Sequence, residues 1–446
     1  MRPKSRKHKT KITIKPALKR QQNQETGHNV KTLRYILILL CSFLAIGSGH
    51  SQVPTPTEKK AVPLDSLNLS ASLITITPGQ DSYSLYGHTA VRIRDDRGMM
   101  DYVFNYGAFS MEDEGFLWKF MLGETDYTLS VERIVDVVMW YTMEQRLVVE
   151  QKLNMSPAEV RSLFEKMRSH AATPGWTYRY TFLEDNCATR PLALLRESLD
   201  GMLTWTQKSE PTTYRKLINS HLLPRHAWSS FGQDMLMGAD IDTIVTQEAH
   251  TGFPMELFNM MSSAEIVGAD GSRRPLVTAT DTLNTLENPN ATDAEHADVL
   301  DYATSPIAAG ILVLLLSIFV STRQFRGNEK AAQVFDSLAI IVTTLVGLLL
   351  WFEFIFSSLP AVGSNVLTLL FHPLALLWFP MRFVRRSWGS RSSFVALLQP
   401  VMLVLFTIAW IVFGQDVPTA ALIVALSLLI RSAVEIHHRR KSNKTI

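Results

Sequence analysis

Five apolar runs crowd the last third of the chain: Pro306 to Val320, Val334 to Phe356, Val366 to Phe379, Phe394 to Phe413 and Ala420 to Ile430. The second and fourth have the length of a bilayer crossing, whereas the third and fifth must borrow flanking residues or pack deep among their neighbours. Charge orients them. Arg323, Arg326 and Lys330 separate the first run from the second, Arg382, Arg385, Arg386 and Arg391 separate the third from the fourth, and Arg439, Arg440, Lys441 and Lys444 end the chain. The alternate connections, "SSLPAVGSN" and "GQDVP", carry no Lys or Arg. That alternation predicts five crossings within 305–434, basic loops and a 435–446 tail in the cytoplasm, and a large outward-facing domain before them.

The first 50 residues agree. Residues 1–34 hold eleven Lys or Arg against one acid, Glu25, and lead into the apolar run Tyr35 to Ile46. Such a segment starts inside and sends the downstream chain across, either as a signal peptide cut near Gly47 to Gly49 or as an uncleaved anchor. The expected location is the inner membrane, multi-pass, with the large domain in the periplasm. The formal charge of +3 is therefore a topology signal, since the chain after residue 34 has 33 basic and 40 acidic groups. Nucleic acid is not an expected partner. Of the two cysteines, Cys41 falls in the first apolar run, which leaves Cys187 as the one thiol of the exported domain. A solitary thiol in an oxidising compartment invites a reactive role, with a buried inert cysteine as the alternative.

After a linker, 51–64, the exported domain is placed at 65–265, followed by a second linker at 266–304. "ASLITITPGQ", "HTAVRIRD" and "DYVFNYGAF" read as strands, and "YRYTFL" as another. "SPAEVRSLFEKMRSH" carries Ser156 as a cap, Pro157 at the first helical position and Glu159 three residues after the cap, the signature of a helix start. In "EDNCATRPLALLRESL", Asp185 or Asn186 caps a helix whose first turn holds Cys187, where free N–H groups favour thiolate. A hairpin turning symmetrically at Asp96 and Arg97 sets His88 opposite Asn105 and Arg92 opposite Asp101. Asn105 then fixes the imidazole tautomer while the other ring nitrogen addresses Cys187, which is Cys-His-Asn logic. A one-residue slip would turn Asn105 away.

"ITPGQDSYSLYGHTAVRIRD", "DYVFNYGAFS", "FLWKFMLGETDYTLS", "EQRLVVEQKLNMSPAE" and "YRYTFLEDNCATRPLALL" resemble the Lnb N-terminal periplasmic domain family of Bacteroidota membrane proteins. "SNVLTLLFHPLALL" is similar to the membrane part that commonly follows. The resemblance implies an α+β fold, a circularly permuted papain-like periplasmic domain followed by a helical transmembrane bundle. It implies lipoprotein N-acylation: a phospholipid acyl chain passes to the N-terminal amine of a diacylglyceryl-cysteine lipoprotein. Phospholipid donor and diacylated lipoprotein acceptor are thus the expected partners, and His88 and Cys187 occupy the histidine and cysteine positions of the pattern. Asn105 rests on the hairpin argument.

Two other function classes stay open: a papain-like peptidase, amidase or lipid hydrolase with water as final acceptor, and a non-enzymatic envelope assembly protein. Arg190 either faces solvent or approaches a lipid phosphate. Tyr83 and Tyr86 either line a cleft or pack, and Phe116, Trp118 and Phe120 either touch lipid or fill the core. His221 and His226 lie close in sequence without a third ligand at convincing spacing, so no metal is expected, and acyl transfer through a thioester needs no cofactor.

Overall fold

β1 (Leu69–Ile76) is buried along nearly its whole length because it runs through the middle of a sheet covered on both sides. Leu69, Ala71 and Leu73 enter one core and Ile74 and Ile76 the other, as a period of two demands. The computed structural model describes residues 68–110, 112, 114–206, 210–287, 299–377 and 390–443. The basic leader, the first apolar run and the 51–64 linker lie outside them.

Around β1 stand β2 (His88–Asp95), β3 (Asp101–Ala108), β4 (Asp126–Arg133), β5 (Val148–Leu153) and the two-residue β6 (Tyr178–Arg179), the only regular part of the strand expected from "YRYTFL". Short strands β7 (Met202–Thr204), β8 (Glu265–Val267) and β9 (Arg273–Pro275) form a separate sheet, and β10 (Val277–Thr282) completes the large one in the order β10-β5-β1-β2-β3-β4-β6. The 266–304 stretch, expected as a linker, therefore supplies β9 and β10 and belongs in part to the domain.

Helices cover the sheet where its side chains are apolar. α1 (Phe116–Leu122) follows β3, and α2 (Ile134–Met143) lays Ile134 and Val137 on the face carrying Ile74, Ala90 and Val103. The opposite core takes Val160, Leu163, Phe164 and Met167 from α3 (Pro157–Ala172) and Leu192, Leu194 and Leu195 from α4 (Thr189–Arg196). α3 begins as the sequence predicts: Ser156 Oγ accepts from the Glu159 N–H, the Glu159 carboxylate accepts from the Ser156 N–H, and Pro157 opens the helix. α5 (Ala227–Leu236) reaches toward the helical region.

Among the described residues, four helices there are long and apolar enough to cross a membrane: α6 (Pro306–Phe325), α7 (Glu329–Phe356), α8 (Arg391–Phe413) and α9 (Thr419–Asn443). The third expected crossing is not a continuous helix. Among the described residues it is a single turn, Leu367–Leu370, followed by a short turn as far as Leu377; Phe379 and Arg382 to Arg386 lie outside them. The broken stretch still joins opposite ends of the bundle. It begins at the domain side, where Asn365 Nδ2 donates to the Met235 carbonyl at 2.9 Å. The chain re-emerges beside Asp336, which pairs with Arg391 and with Arg431.

Several contacts seat the domain on one end of the bundle. Ser358 N–H donates to Leu122 O at 2.9 Å, Trp118 packs on Phe352 with ring centres 4.9 Å apart, and Trp228 Nε1 donates to Thr304 O at 2.7 Å. Gln415 Nε2 reaches Met237 O at 3.1 Å, and the Asp416 N–H reaches Asp242, whose carboxylate also holds the buried Arg215.

One ion cluster pins the register of the sheet. Arg92 on β2, 8% exposed, grips Asp101 of β3 with two N–H groups at 2.6 and 2.7 Å and Glu150 of β5 at 2.9 Å. Removing the cation strands Glu150, itself 4% exposed, as an unpaired buried charge. Arg92→Ala is expected to destabilise the domain by about 3 kcal/mol, read as a lowered thermal midpoint of the solubilised protein, and Glu150→Gln together with Arg92→Met to recover part of that loss.

Candidate functional site

His88 enters β2 directly after Gly87, whose φ is +79° and where a Cβ would stand 2.7 Å from the Ile76 carbonyl oxygen. Only glycine accepts that conformation and that approach cheaply, so the Gly-His pair is a turn into a strand with an imidazole at its mouth.

The hairpin register differs from the expected one. β2 and β3 pair as Val91–Phe104, Arg92–Val103, Ile93–Tyr102 and Arg94–Asp101, because the connection from Asp96 to Met100 is longer than a symmetric two-residue turn. His88 is therefore not directly opposite Asn105, nor Arg92 opposite Asp101. The displacement is two residues, which preserves the faces. Both expected contacts form diagonally: Arg92 binds Asp101, and His88 Nε2 is hydrogen bonded to Asn105 Oδ1.

Glu132 orients that amide. Its carboxylate oxygen takes the Ser130 hydroxyl at 2.7 Å and lies 3.4 Å from Asn105 Nδ2. A carboxylate can only accept, so Asn105 turns its N–H₂ to Glu132 and its oxygen to His88. His88 Nε2 then carries the proton and Nδ1 the lone pair.

Cys187 lies in the turn before α4 rather than in its first helical turn. Ala188 is the N-cap and carries no side-chain cap bond, so neither expected cap holds; Asn186 instead braces the turn, its Oδ1 accepting from the N–H groups of Ala188 at 2.8 Å and Thr189 at 3.1 Å while its Nδ2 is fixed by Phe182 O and Gly252 O. Asp185 is instead an ion-pair partner of Arg190.

The sheet makes room for the thiol by parting. The Asp95 N–H donates to Met100 O at 2.9 Å, so odd-numbered residues of β2 direct their N–H groups toward β3. Thr89 does the same, but the strand pairing stops at Val91 and Phe104, two residues short of it. Cys187 fills the wedge. The main-chain N–H groups of Thr89 and of Cys187 itself are directed at its sulfur. On the other side, a Cβ at Gly107 would touch Cys187 Cβ at 3.5 Å, and Gly107 adopts φ +93° at the bulge where β3 leaves β4's register. The thiol thus lies against the Thr89 N–H, the amide that follows His88 in β2, within the split of the sheet.

Desolvation by the surrounding core pushes both groups toward their neutral forms, although each keeps some surface exposure. It lowers the His88 pKa to about 4, assisted by Arg146 and opposed by the Asn105 hydrogen bond and Glu132. Burial likewise raises the Cys187 thiol to about 11, against the opposing pull of the two N–H groups and Arg146. The sequence-based expectation of a thiolate favoured by a helix start is thereby corrected: Cys187 precedes the helix, and desolvation outweighs the N–H groups.

The remaining candidates disperse. Arg190 lies over the Tyr178 ring at 4.1 Å while bound to Asp185. Tyr86 is buried among Phe182, Phe253 and His221 and donates to Gln233 at 2.6 Å, whereas Tyr83 is exposed. Phe116 stacks on Phe109, and Trp118 and Phe120 stay exposed on α1. His221 stacks on Phe253, and among the described residues no group of His, Cys, Asp and Glu is arranged to hold a metal ion. Thr89, Gly107, Glu132 and Arg146 are site residues that sequence reasoning did not single out; only the bulge glycine, in "NYGAF", leaves a local signal.

A thiol whose pKa is raised and an imidazole whose pKa is lowered have a measurable signature. Alkylation of Cys187 by iodoacetamide is expected to quicken about tenfold per pH unit above neutrality and to level only near the raised thiol pKa, with no step between pH 5 and 8. A rate already at its plateau at pH 6 contradicts this, because it requires a resting thiolate–imidazolium pair.

Residues 56–220 match the family model of the Lnb N-terminal periplasmic domain, and residues 298–443 match that of the Lnb transmembrane domain. No curated protein and no solved structure matches the chain. The first match holds His88, Asn105 and Cys187, the second holds the four apolar helices, and they follow one another as the sheet domain and the helical region do. The chain belongs to the Lnb family, membrane proteins with a periplasmic domain.

Proposed function

We propose that this protein is a cysteine-dependent acyltransferase with a papain-like catalytic domain, moving a phospholipid acyl chain through a Cys187 thioester to the N-terminal amine of a diacylated lipoprotein. The observation that carries the reading is the thiol in the sheet's wedge, flanked by the main-chain N–H groups of Thr89 and Cys187, together with the preceding residue of β2, a histidine whose tautomer Glu132 and Asn105 set.

As the sulfur adds to the ester carbonyl, His88 Nδ1 takes the thiol proton, and the N–H groups of Thr89 and Cys187 receive the oxyanion. Desolvation, which lowers the His88 pKa, makes the resulting imidazolium readier to give its proton up again. Collapse breaks the carbonyl–oxygen bond, His88 protonates the departing glyceryl oxygen, and lysophospholipid leaves with the acyl group on sulfur. A neutral amine then adds to the thioester and gives its proton to His88. The carbon–sulfur bond breaks and the proton returns to the thiol, so the two halves balance with no external reagent.

The seat of the domain on the bundle favours lipid over a soluble peptide. α1 rests on the end of α7 through Trp118 and Phe352 while Leu117 and Phe120 stay exposed, which suits a domain working at an acyl interface. Hydrolysis differs only in the final acceptor.

The protein in phospholipid, given a diacylated lipopeptide with a free amine, is expected to yield N-acylated peptide and lysophospholipid by mass spectrometry. Cys187→Ala abolishes both products, His88→Ala lowers the rate by about 10² to 10⁴, and Asn105→Ala lowers it less. Free fatty acid with an unmodified amine identifies a hydrolase, and undiminished N-acylation by folded Cys187→Ala overturns the mechanism.

A further inference from the structure

We propose that Arg146 holds the headgroup of the donor lipid, its free Nη2 donating to a phosphodiester oxygen on the glycerol whose ester faces Cys187. The inference rests on the phospholipid reading above and adds a residue to it.

Arg146 ends the turn after α2, where Gln145 takes φ +55°, a left-handed conformation that side chains seldom adopt and that directs the next residue inward. Arg146 is only 4% exposed. Nε donates to Thr77 O at 2.8 Å, Nη1 to Glu144 at 3.0 Å, and the plane lies over the Tyr141 ring at 4.8 Å. Nη2 is buried with no hydrogen-bond partner. An unspent N–H on a buried cation is costly, and an anionic oxygen removes that cost.

Its position suits the donor. Arg146 Nε is held by the carbonyl of Thr77, the residue after Ile76, and Ile76 pairs with His88 across β1 and β2, so the guanidinium is anchored at the His88 end of the sheet; its charge bears on both His88 and Cys187. The oxyanion at Cys187 already has the N–H groups of Thr89 and Cys187, which leaves Arg146 for a second anion on the same molecule. Arg190, the cation the sequence offered for a lipid phosphate, is committed to Asp185 and Tyr178. The turn over the Arg146 stem is closed on itself by Gly79 N–H to Ser84 O and Ser84 N–H to Asp81 O, and the headgroup enters by displacing it.

Two arms test this on the full-length protein. In mixed micelles, Arg146→Gln is expected to lower the preference for phosphatidylethanolamine over diacylglycerol about tenfold, chiefly through KM, with Arg146→Lys regaining part of it. Equal losses on the two donors, or an unchanged preference, overturn the proposal. In the second arm, sn-glycero-3-phosphoethanolamine protects Cys187 of the wild-type protein from iodoacetamide saturably while glycerol does not, and Arg146→Gln removes the protection. Absence of protection in the wild type overturns the proposal whether or not the variant folds. Protection without turnover of either lipid sustains the headgroup site and refutes the acyl-transfer reading instead.

Discussion

A β-ladder that stops before its strands do must give the freed main-chain groups another partner. Here β2 and β3 part beyond Val91 and Phe104, and the Thr89 N–H turns toward the Cys187 sulfur. The rest of the site depends on that parting. It opens the wedge that the turn before α4 fills, it requires the positive φ of Gly107 at the bulge, and it leaves His88 at the lip, in reach of Asn105 across the gap. Buried N–H groups are rarely left unpaired, so the thiol also serves as a structural plug.

The same economy runs through the polar side chains. Arg92, Asp101 and Glu150 tie three strands of the sheet together and fix which residues share a face with His88. Glu132 orients Asn105, and Asn105 orients the imidazole. Asn365 and Gln415 lock the domain to the helical region through the Met235 and Met237 carbonyls, and Asp242, held by Arg215, takes the Asp416 N–H. A site held this way is presented at one end of the bundle, an arrangement that suits the proposed lipid substrate.

Much of this was legible from the residues. Alternation gave the strands, Ser156, Pro157 and Glu159 gave the start of α3, and the pairing of His88 with Asn105 followed from hairpin arithmetic even though the register was two residues off. The error was harmless because parity, not register, decides which face a side chain occupies. What escaped was non-local. Glu132 and Arg146 come from elements whose approach to His88 depends on strand order, and the neutral state of Cys187 depends on burial that no local spacing encodes. The 266–304 stretch misled for a related reason: β9 and β10 are short, polar edge strands, and their partners lie more than a hundred residues away or in a second sheet. The broken third passage reads as a crossing in the sequence because hydropathy records burial and not continuity.

The central claim is a covalent one, that acyl carbon is carried on the Cys187 sulfur. Intact-protein mass spectrometry after exposure to phospholipid without an amine acceptor tests it most directly. The account predicts a mass increase equal to one acyl chain, mapped to Cys187, reversed by neutral hydroxylamine and much slower to form in His88→Ala. A folded protein that consumes phospholipid while its Cys187 stays unmodified and freely alkylated throughout would contradict the account.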